Sequence, residues 1–454
     1  MSTEDTKKVI SRDEAHHRAG CLAFPQRCCP GSTTGVGLEP EFFPFLVDDS
    51  GRVLRRMVLH DPPQGVLSTV GDLAVADRRL RPGHEAASGV REFDVDNGGR
   101  ITFEPGAQVE HSTCVHPGPS AALDDVDDMA RRLAEAFRIR GARLAAVGLD
   151  QWTDVEDVPQ QLPGERYVAQ AEYYDRRGQW GALMMRHTAS LQINVDLGRE
   201  GVWQERWLTA NLLAPILTAA FACSPSNEAV ATRSRAWQEL DHTRSGFPRL
   251  LLEGNPDPRR QWAQAALEAD VMLFRSGKTG WSPGEPGFSF DRWIREGHPK
   301  HGWPTCEDFD YHLTTLFFEV RARGFLELRT GEAIPARWRA VPVVVACTMV
   351  YDDLARHHFL NLMEPHTQQL ENLWHRAATD GVRDSQLRDL AGQTLELALE
   401  RAPDLGPNLI APHHLKPVRL FSKVYTQRGR MPADTLAERL AEDPAEALDW
   451  ACGD

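Results

Sequence analysis

Carboxylates spaced for strand alternation are the first sign of chemistry in this sequence. Glu39 and Glu41 lie two residues apart in an apolar stretch, so both project to the same side if the stretch is a strand. Glu104 precedes a Pro-Gly turn, and Gln108 and Glu110 alternate in the strand predicted after it. Carboxylates this close repel one another and are compensated by a metal ion, an arginine or open water. If the four converge, their oxygen donors suit Mg²⁺ or Mn²⁺.

A row of uncharged polar groups runs through segment 182–196, ALMMRHTASLQINVD, which we interpret as a strand. Alternation places apolar side chains on one face and hydrogen-bonding groups on the other. The hydrogen-bonding row consists of Thr188, Ser190, Gln192, Asn194 and Asp196. Hydroxyl and carboxamide groups suit the floor of a ligand pocket, although a solvated sheet face gives the same pattern. His187 has the parity of the apolar face, which favours a core or edge histidine over the alternative of a ligand.

Arginines gather in segment 232–247 of a chain that is acidic overall. The cluster consists of Arg233, Arg235, Arg244 and Trp237. Guanidinium groups bind carboxylate or phosphate through paired hydrogen bonds, so the cluster indicates an anion site, with surface ion pairs as the alternative. A later strand within 310–330 places Glu327 and Arg329 on one face.

The elements that must position these groups combine strands with helices. Segment 120–140 is predicted to be a helix, with Ser120 as its N-cap and Asp124 and Asp125 near its positive end. Segment 143–150 then reads as a buried strand. A helix entering a buried strand, within an otherwise antiparallel pattern, predicts an α+β fold with helices packed on one face of the sheet.

Further helices are predicted after the polar strand. Segment 205–222 is mostly apolar and reads as a buried helix, and segment 277–306, rich in glycine, proline and tryptophan, reads as a long ordered loop or lid. The remaining helices are predicted at 341–354, 364–378, 384–401 and 434–450. We therefore expect an N-terminal lead-in at 1–34 and one domain at 35–454, with a helical C-terminal part from about 341.

Size and charge limit the classes of function. The chain has 454 residues, of which 41% are hydrophobic and 26% charged, as in globular proteins with a large core. A formal charge of -14 argues against nucleic acid or an anionic membrane as a partner, whereas small-molecule substrates remain compatible with it. The N-terminal segment lacks the apolar core of a secretory signal, and no apolar run is long enough to span a bilayer. We expect a cytoplasmic protein.

Eight cysteines at scattered positions are expected to be free thiols. Cys21, Cys28 and Cys29 are close in sequence and leave a redox or metal role open, but no CxxC motif accompanies them. The sequence has no Walker-type phosphate loop, so a bound nucleotide would be held by other groups.

Taken together, the segments resemble the glutamate-cysteine ligases of the plant and actinobacterial type over roughly residues 35–360. The motifs that carry the resemblance are GLEPE at 37–41, EPGAQVE at 104–110, TASLQINVD at 188–196, SR and DHTRSG within 234–246, and DYHLTT and LELR within 310–329. The branch that the chain is most similar to makes γ-glutamylcysteine for ergothioneine or glutathione synthesis. Ala107, His111 and His242 depart from the family's usual glycine, apolar residue and proline, and Pro40 is unusual too, which leaves the amine acceptor and the carboxylate donor open.

The resemblance implies the fold of glutamine synthetase and the guanidino kinases, a cupped antiparallel sheet with helices on its outer face and with ATP and Mg²⁺ on its concave face. In that family the side-chain carboxylate of glutamate attacks the γ-phosphate, and the cysteine amine then takes the acyl group. By position, the implied metal ligands are Glu39, Glu41, Glu104, Glu110 and Glu327. The implied catalytic residues are Arg235, Arg329 and Glu104, and Arg329 and Gln108 would contact the nucleotide. The implied substrate contacts are Thr188, Ser190, Gln192, Asn194, Arg235, Arg244 and Trp237.

The leading hypothesis is an ATP- and Mg²⁺-dependent ligase that forms γ-glutamylcysteine. A ligase of the same fold that uses another amine or acid in secondary metabolism is one alternative, and a noncatalytic relative that binds an amino acid or nucleotide is another. The complete carboxylate set argues against the last, since a protein that only binds has no chemical need for five metal-ligand candidates.

Overall fold

The structure is a computed structural model that describes residues 8–25, 34–199, 201–276 and 280–453. The strands within these residues are β1 (Val36–Val47), β2 (Val53–Arg56), β3 (Leu80–Glu85), β4 (Arg91–Val95), β5 (Arg100–Phe103), β6 (Val109–Ser112), β7 (Ala142–Ala145), β8 (Leu191–Val195), β9 (Leu273–Ser276), β10 (Gly280–Pro283), β11 (Val320–Ala322) and β12 (Leu326–Leu328).

The α-helices within the same residues are α1 (Arg12–Ala23), α2 (Val66–Ala76), α3 (Pro119–Ile139), α4 (Glu165–Asp175), α5 (Trp180–His187), α6 (Trp203–Phe221), α7 (Thr232–Leu240), α8 (Arg249–Leu252), α9 (Pro258–Glu268), α10 (Phe290–Glu296), α11 (Cys306–Thr314), α12 (Ala336–Tyr351), α13 (Asp353–Met363), α14 (Leu370–Asp380), α15 (Ser385–Arg401), α16 (Pro412–Val424), α17 (Pro432–Glu442) and α18 (Pro444–Cys452).

Strand β1 organises the main sheet because it pairs with four other strands. Its first half lies between β8 and β6, and its second half pairs with β7 and β2, always antiparallel. Ten of the described strands join in this sheet, along the path β11-β12-β8-β1-β6-β5-β4-β3, with β2 and β7 attached to β1. A strand with neighbours on both sides has little contact with water, which explains why most of β1 is buried.

Helices cover the sheet and complete the core. Helix α3 packs against β1 and β7, while α6 and α12, which are buried over most of their length, contact β12 and β8 respectively. The largest cluster of buried apolar side chains joins α1, α6, α9 and α12 to β8 and β12, and a second joins α2 and α3 to the other end of β1. The predicted α+β fold with a large antiparallel sheet is confirmed.

The strand predicted over 182–196 is wrong in its first half. Helix α5 continues to His187, and β8 begins only at Leu191. The run Ala-Leu-Met-Met consists of good helix formers, and tertiary packing extends the helix through them. The N-cap of α3 is Gly118 rather than Ser120, whose hydroxyl instead lies 2.8 Å from Nδ1 of His414.

The regions outside the central sheet contain more regular structure than the sequence indicates. Segment 277–306 contributes the strand β10, which pairs with β9, and the helix α10. The C-terminal part is helical as expected, but 434–450 forms two helices, α17 and α18, because Pro444 starts a new one after the N-cap Asp443.

The lead-in packs on the body of the protein through α1, which contacts α9. Cys21, on α1, is exposed with its sulfur 3.6 Å from Nε2 of His17, while Cys28 and Cys29 lie outside the described residues. No helix among the described residues is long and apolar enough to cross a membrane.

Replacing Gly106 with alanine is predicted to destabilise the turn between β5 and β6. A Cβ at this position would lie 2.2 Å from the carbonyl oxygen of Arg186 and 2.8 Å from its carbon, so the turn or α5 would have to move. We expect a loss of unfolding free energy of about 2 kcal/mol or more, as for other overpacked sites. The measurement is the melting temperature of Gly106→Ala.

Gly392→Ala is the matched control for this substitution. Gly392 lies inside α15, and a Cβ there would meet nothing within 4 Å. Alanine is favoured over glycine in a helix by about 1 kcal/mol, so this variant is expected to be as stable as the parent or more stable. Equal melting temperatures for the two variants would contradict the close approach at Gly106.

Candidate active site

A cavity of about 520 Å³ opens on the polar face of the central sheet, and its wall carries both signs of charge. The acidic side chains that line it are Glu39, Glu41, Glu104 and Glu110. The basic side chains are Arg166, Arg233, Arg321, Arg323 and Arg329. Such a wall offers oxygen ligands for a divalent cation together with guanidinium groups for phosphate or carboxylate.

Strand register brings the carboxylates together. Glu41 on β1 pairs with Glu110 on β6, and Glu39 pairs with Gln192 on β8. Glu104 follows β5 directly, in a turn closed by hydrogen bonds between its backbone and the backbones of Ala107 and Gln108. The four carboxylates predicted from sequence spacing therefore share one cavity.

Hydrogen bonds from neighbouring strands orient two of these carboxylates. The backbone amide and hydroxyl of Ser190 donate to Glu41 at 2.8 and 2.6 Å. Nδ2 of Asn194 donates to Glu39 at 2.7 Å. Ser190 and Asn194, predicted as substrate contacts, thus act on the carboxylates and do not line the cavity.

The carboxylates are short of compensating charge. Burial and the nearby charge of Glu41 raise the pKa of Glu104 to about 7. Burial, followed by the charges of Glu39 and Glu104, raises the pKa of Glu110 well above its usual range, although the hydroxyl of Thr102 donates to it at 2.8 Å. The pKa of Glu39 is raised by burial and by Glu327. A hard divalent cation fits this donor set, because it would supply the missing positive charge.

The pKa of Glu327 is shifted in the opposite direction from those of Glu39, Glu104 and Glu110. Burial alone would raise its pKa, but Arg321 and Arg329 lower the pKa of Glu327 to about 2. Nε and Nη2 of Arg321 both donate to this carboxylate at 2.8 Å, and Nη1 of Arg329 donates at 2.6 Å. Glu327 does not line the cavity. Its carboxylate holds two arginines in place, and its assignment as a metal ligand stays a prediction from the sequence.

The arginine side of the cavity is built around Arg329. Its Nη1 also donates to Oε1 of Gln192 at 3.0 Å, and its guanidinium lies 5.5 Å from the ring centre of Trp237. Nη2 of Arg233 donates to the carbonyl oxygen of Arg329 at 3.1 Å. Backbone, carboxylate and aromatic contacts therefore fix Arg329 before any ligand binds.

Arg235 does not reach the cavity, in contrast to the expectation from sequence. It forms an ion pair of 2.9 Å with Glu239 on α7, whereas Arg233 lines the cavity. Two residues along a helix correspond to a rotation of about 200°, so Arg233 and Arg235 lie on nearly opposite faces. Arg233 occupies the position that the sequence analysis gave to Arg235.

Arg244 is also outside the cavity lining. Its side chain is fully buried and donates to Asp241 at 2.8 Å and to the carbonyl oxygen of Thr315 at 2.7 Å. It contacts the hydroxyl of Tyr173 as well, at 3.1 Å. With its donors used inside the protein, Arg244 ties α7 to the segment after α11 rather than presenting a fork to substrate.

Gln108 and Thr188 line the cavity, but their polar atoms already have protein partners. Oε1 of Gln108 accepts from the amide of Gly106 at 2.9 Å, and its Nε2 donates to the carbonyl oxygen of Thr188 at 2.8 Å. The hydroxyl of Thr188 donates to the carbonyl oxygen of Met184. Gln108 thereby fastens the turn that carries Glu104 to the start of β8.

All four departures from the family pattern lie outside the cavity lining: Pro40, Ala107, His111 and His242. Ala107 has a positive φ of 64°, the conformation that glycine adopts most easily, so the turn keeps its shape at a cost of about 1 kcal/mol. His111 is buried, and burial lowers its pKa to about 4. His187 is buried as well, with Nε2 2.8 Å from the carbonyl oxygen of Thr153.

A group of cavity residues on α4 and α11 was not predicted from the sequence. These are Arg166, Tyr167, Gln170 and Tyr311. Burial raises the pKa of Tyr311 to about 12, so its hydroxyl stays protonated and able to donate at neutral pH. The segment around Tyr311 was part of the family resemblance, but α4 carries no carboxylate spacing or arginine cluster that would have identified it.

A larger cavity of about 1220 Å³ lies between α2, α3 and the start of α12. Several of its arginines already pair with neighbouring acids, such as Arg132 with Asp128 at 2.8 Å and Arg138 with Glu135 at 2.8 Å. The charge of this cavity is thus largely compensated within the protein. We therefore assign the candidate active site to the cavity of about 520 Å³ that the four glutamates line.

Comparison with known proteins gives the family. Residues 36–452 match the model of glutamate-cysteine ligase family 2. The chain belongs to this family. The family 2 ligase is 35% identical over 357 residues to glutamate-cysteine ligase EgtA of Mycolicibacterium smegmatis, covering 76% of this chain and 78% of the relative. It is 25% identical over 422 residues to the chloroplastic glutamate-cysteine ligase A of Oryza sativa subsp. japonica, covering 87% and 80%.

A solved structure supports the fold of this family 2 ligase. Glutamate-cysteine ligase from Francisella tularensis, in complex with AMP, aligns with a TM-score of 0.55 at 11% identity, covering 93% of this chain and 89% of that one. The chain is a ligase enzyme, and its family supports a carboxylate-amine ligase activity acting on small molecules.

The raised pKa of Glu104 predicts a stability that depends on pH in the metal-free ligase. Between pH 4.5 and about 7 the folded protein keeps a proton that the unfolded chain releases, so stability falls as pH rises through this window. Glu104→Gln removes this cost. We expect its melting temperature in EDTA at pH 8 to exceed that of the parent by about 1–3 °C, with a smaller difference at pH 5.

Glu442→Gln, at an exposed position on α17, is the control for the change in net charge. A Glu104→Gln variant that is less stable than the parent at pH 8 would mean that this carboxylate is compensated within the protein.

Proposed function

We propose that this ligase joins the side-chain carboxylate of glutamate to the amine of cysteine, in a reaction that consumes ATP and requires Mg²⁺. The observation that carries the proposal is the shared cavity of undercompensated carboxylates and preorganised arginines. Phosphoryl transfer needs both, because the transferred group carries charge that cations and guanidinium groups must neutralise.

The carboxylates would hold the divalent cations. Glu39, Glu41, Glu104 and Glu110 supply only oxygen atoms, which suits Mg²⁺ and also Mn²⁺. When bound, the cations would neutralise charge on the nucleotide phosphates and on the transferring group. The hydrogen bonds from Ser190 to Glu41 and from Asn194 to Glu39 would keep these ligands oriented.

The arginines would bind the transferring phosphoryl group and the substrate carboxylates. Glu327 positions Arg329 and Arg321, and the side chain of Arg233 donates to the backbone carbonyl oxygen of Arg329. Gln192 and Trp237, which contact Arg329, are proposed as part of the substrate floor. In this role Arg233 replaces Arg235 of the sequence interpretation.

The reaction would proceed in two displacements. A side-chain carboxylate oxygen of glutamate attacks the γ-phosphorus of ATP, and the bond between this phosphorus and the β,γ-bridging oxygen breaks. ADP is the leaving group, and γ-glutamyl phosphate is the acyl phosphate that forms. The amine of cysteine then attacks the acyl carbon, the carbon–oxygen bond to phosphate breaks, and the amide forms with loss of a proton from nitrogen. In both steps charge builds on phosphate oxygens, where Arg233, Arg321 and Arg329 would stabilise it.

The comparisons support the substrates to different degrees. The relatives from M. smegmatis and O. sativa are named glutamate-cysteine ligases, which favours glutamate and cysteine. The F. tularensis structure contains AMP, which favours an adenine nucleotide. A cytoplasmic setting in thiol biosynthesis remains a prediction from the sequence.

The test of this function is ADP release by the purified protein, with product masses measured. With ATP, Mg²⁺ and glutamate, we expect release to depend on added cysteine and to yield the mass of γ-glutamylcysteine. EDTA should abolish release. Release with another amine would keep the ligase chemistry and change the acceptor, whereas no release with any donor or acceptor would contradict a ligase mechanism.

Lysine substitutions at two neighbouring arginines compare a residue that lines the cavity, Arg233, with one that pairs on the surface of α7, Arg235. Arg233→Lys is expected to reduce kcat/KM by about 100-fold or more, because one ammonium group cannot reproduce a buried guanidinium that also supports Arg329. Arg235→Lys should change kcat/KM by less than about 3-fold, since Arg235 pairs with Glu239 outside the cavity. The measurement is steady-state ADP release with glutamate and cysteine varied.

A larger loss of kcat/KM in Arg235→Lys than in Arg233→Lys would mean that Arg235, and not Arg233, acts in the active site. Melting temperatures of both variants are needed beside the kinetics, because Arg233 is buried and its loss could act through folding.

A further inference from the structure

Three side chains of different chemistry converge where the chain passes from β6 to α3. Cys114 and His116 lie in the segment between these two elements, and Asp125 lies in α3. Sγ of Cys114 lies 3.5 Å from Nε2 of His116, and the same nitrogen lies 3.0 Å from Oδ2 of Asp125. Donor atoms from all three residues are within 4.8 Å of one another. None of the three residues lines the candidate active site.

The distances between these atoms are those of ligands around one metal ion. Zn²⁺ binds thiolate sulfur at about 2.3 Å and imidazole nitrogen or carboxylate oxygen at about 2.0–2.1 Å, most often in a tetrahedron. Such a tetrahedron separates sulfur from nitrogen by about 3.5 Å and nitrogen from oxygen by about 3.3 Å. The sulfur–nitrogen and nitrogen–oxygen separations in this cluster, 3.5 and 3.0 Å, are close to both values.

The cluster does not have the geometry of a catalytic triad. In a triad the nucleophile and the carboxylate contact opposite nitrogens of the histidine ring, so that a proton can pass from one side while the other side is held. In this cluster the thiol and the carboxylate both contact Nε2 of His116. Three donors that meet at one point suit a shared cation better than the relay of a proton.

Backbone and side-chain contacts hold the donors in position. His116 and Val36 exchange two backbone hydrogen bonds, at 2.8 and 2.9 Å. Nδ2 of Asn97 donates to Oδ2 of Asp125 at 2.9 Å, and Nη2 of Arg79 donates to Oδ1 at 3.1 Å. Partners of this kind orient the carboxylate ligands of metal sites. The three donors are therefore arranged before an ion binds.

Asp125 has only a share of the positive charge beside it. Arg79 pairs with Asp96 at 3.2 Å and with Asp128 as well, so one guanidinium serves three carboxylates. The charge of Asp125 acts on His111, but this histidine is buried and burial lowers its pKa to about 4, so it adds no charge at neutral pH. A bound cation would complete the compensation.

The donor types select the class of metal. Thiolate and imidazole favour Zn²⁺ and similar cations, whereas the four glutamates of the candidate active site offer only oxygen and favour Mg²⁺ or Mn²⁺. We propose that Cys114, His116 and Asp125 bind one Zn²⁺ ion, with water as the fourth ligand. On binding, the thiol loses its proton to solvent, and the ring proton of His116 resides on Nδ1, which leaves the lone pair of Nε2 for the metal.

The site is open to solvent and joins two elements of the fold. Cys114 and His116 are half-buried, so an ion can enter from the surface. The ion would tie the end of β6, which carries Glu110, to α3, which packs against β1. Because the unfolded chain does not hold the three donors together, binding is expected to stabilise the folded ligase.

Co²⁺ is the probe for this site because it takes the place of Zn²⁺ and absorbs light. The full-length protein is first treated with EDTA, then titrated with Co²⁺ without oxygen and with excess Mg²⁺ to occupy oxygen-only sites. We expect a thiolate-to-cobalt charge-transfer band that saturates at one Co²⁺ per chain and disappears when Zn²⁺ is added. The exposed cluster of Asp124, His413 and His414 contains no thiol, so cobalt bound there would give no such band.

Cys114→Ser is the decisive variant. It is expected to abolish the charge-transfer band and to weaken Zn²⁺ at least about 100-fold in competition with a chromophoric chelator, since losing even an outer partner of a ligand costs 10–100-fold. Zn²⁺ should raise the melting temperature of the parent by about 2 °C or more and leave that of the variant unchanged. In EDTA the two proteins should melt within about 1 °C of each other, which shows that the variant is folded.

Cys21→Ser is the matched control. Sγ of Cys21 also lies near a histidine, 3.6 Å from Nε2 of His17, but these two residues have no third ligand group beside them among the described residues. This variant should keep the band and the affinity for Zn²⁺. His116→Gln, at a half-buried position, repeats the test with the thiol intact and should weaken Co²⁺ and Zn²⁺ at least about 10-fold.

The proposal is overturned if the parent gives no charge-transfer band with Co²⁺, or if the band persists in Cys114→Ser. It is also overturned if the band is lost in Cys21→Ser, because the thiolate would then belong to the N-terminal segment. An affinity for Zn²⁺ that is the same in the parent and in His116→Gln would have the same meaning.

Discussion

Repulsion among buried carboxylates is the interaction that the rest of the structure must offset in the candidate active site. Glu39 and Glu41 on β1 meet Glu104 and Glu110 from the hairpin of β5 and β6, and burial raises the pKa of both hairpin residues. Hydrogen bonding on both sides of β1 supplies the rigidity that keeps these groups together. The arrangement lowers the stability of the empty protein, and the same free energy becomes available when a cation arrives.

A fifth carboxylate of the same sheet has the opposite role because of its neighbours. Glu327 sits between Arg321 and Arg329, so its charge is fully used inside the protein. On one side of the cavity, the glutamates carried by β1 and the β5–β6 hairpin lack compensating positive charge. On the other side, Glu327 holds Arg321 and Arg329 in place. Nucleotide phosphates with bound cations would bridge the two sides, since each supplies what the other wall lacks.

Strand periodicity explains which parts of this site the sequence could reveal. The parity of Glu39 and Glu41, the turn after Glu104 and the row from Ser190 to Asn194 follow from alternation, and the structure keeps all of them in or beside the cavity. The choice between Arg233 and Arg235 could not be made in that way, because it depends on how α7 is rotated against the sheet. The burial of Arg244 depends on Asp241 and Thr315, and the second of these is distant in sequence. Segment 182–187 was assigned to the strand that follows it, but its composition favours a helix, and the segment forms the end of α5.

The uninterrupted length of β1 has a consequence for how this protein can vary. Its odd-numbered side chains include Glu39 and Glu41, which line the candidate active site, and then Phe43 and Phe45, which lie against the guanidinium of Arg56. A single residue inserted or deleted after Glu41 would turn the side chains of Phe43 and Phe45 to the opposite face of the sheet. They would then no longer lie against Arg56 while Glu39 and Glu41 keep their positions. Length changes are therefore tolerable in the turn at 48–52, which joins β1 to β2 at the surface, and intolerable inside β1.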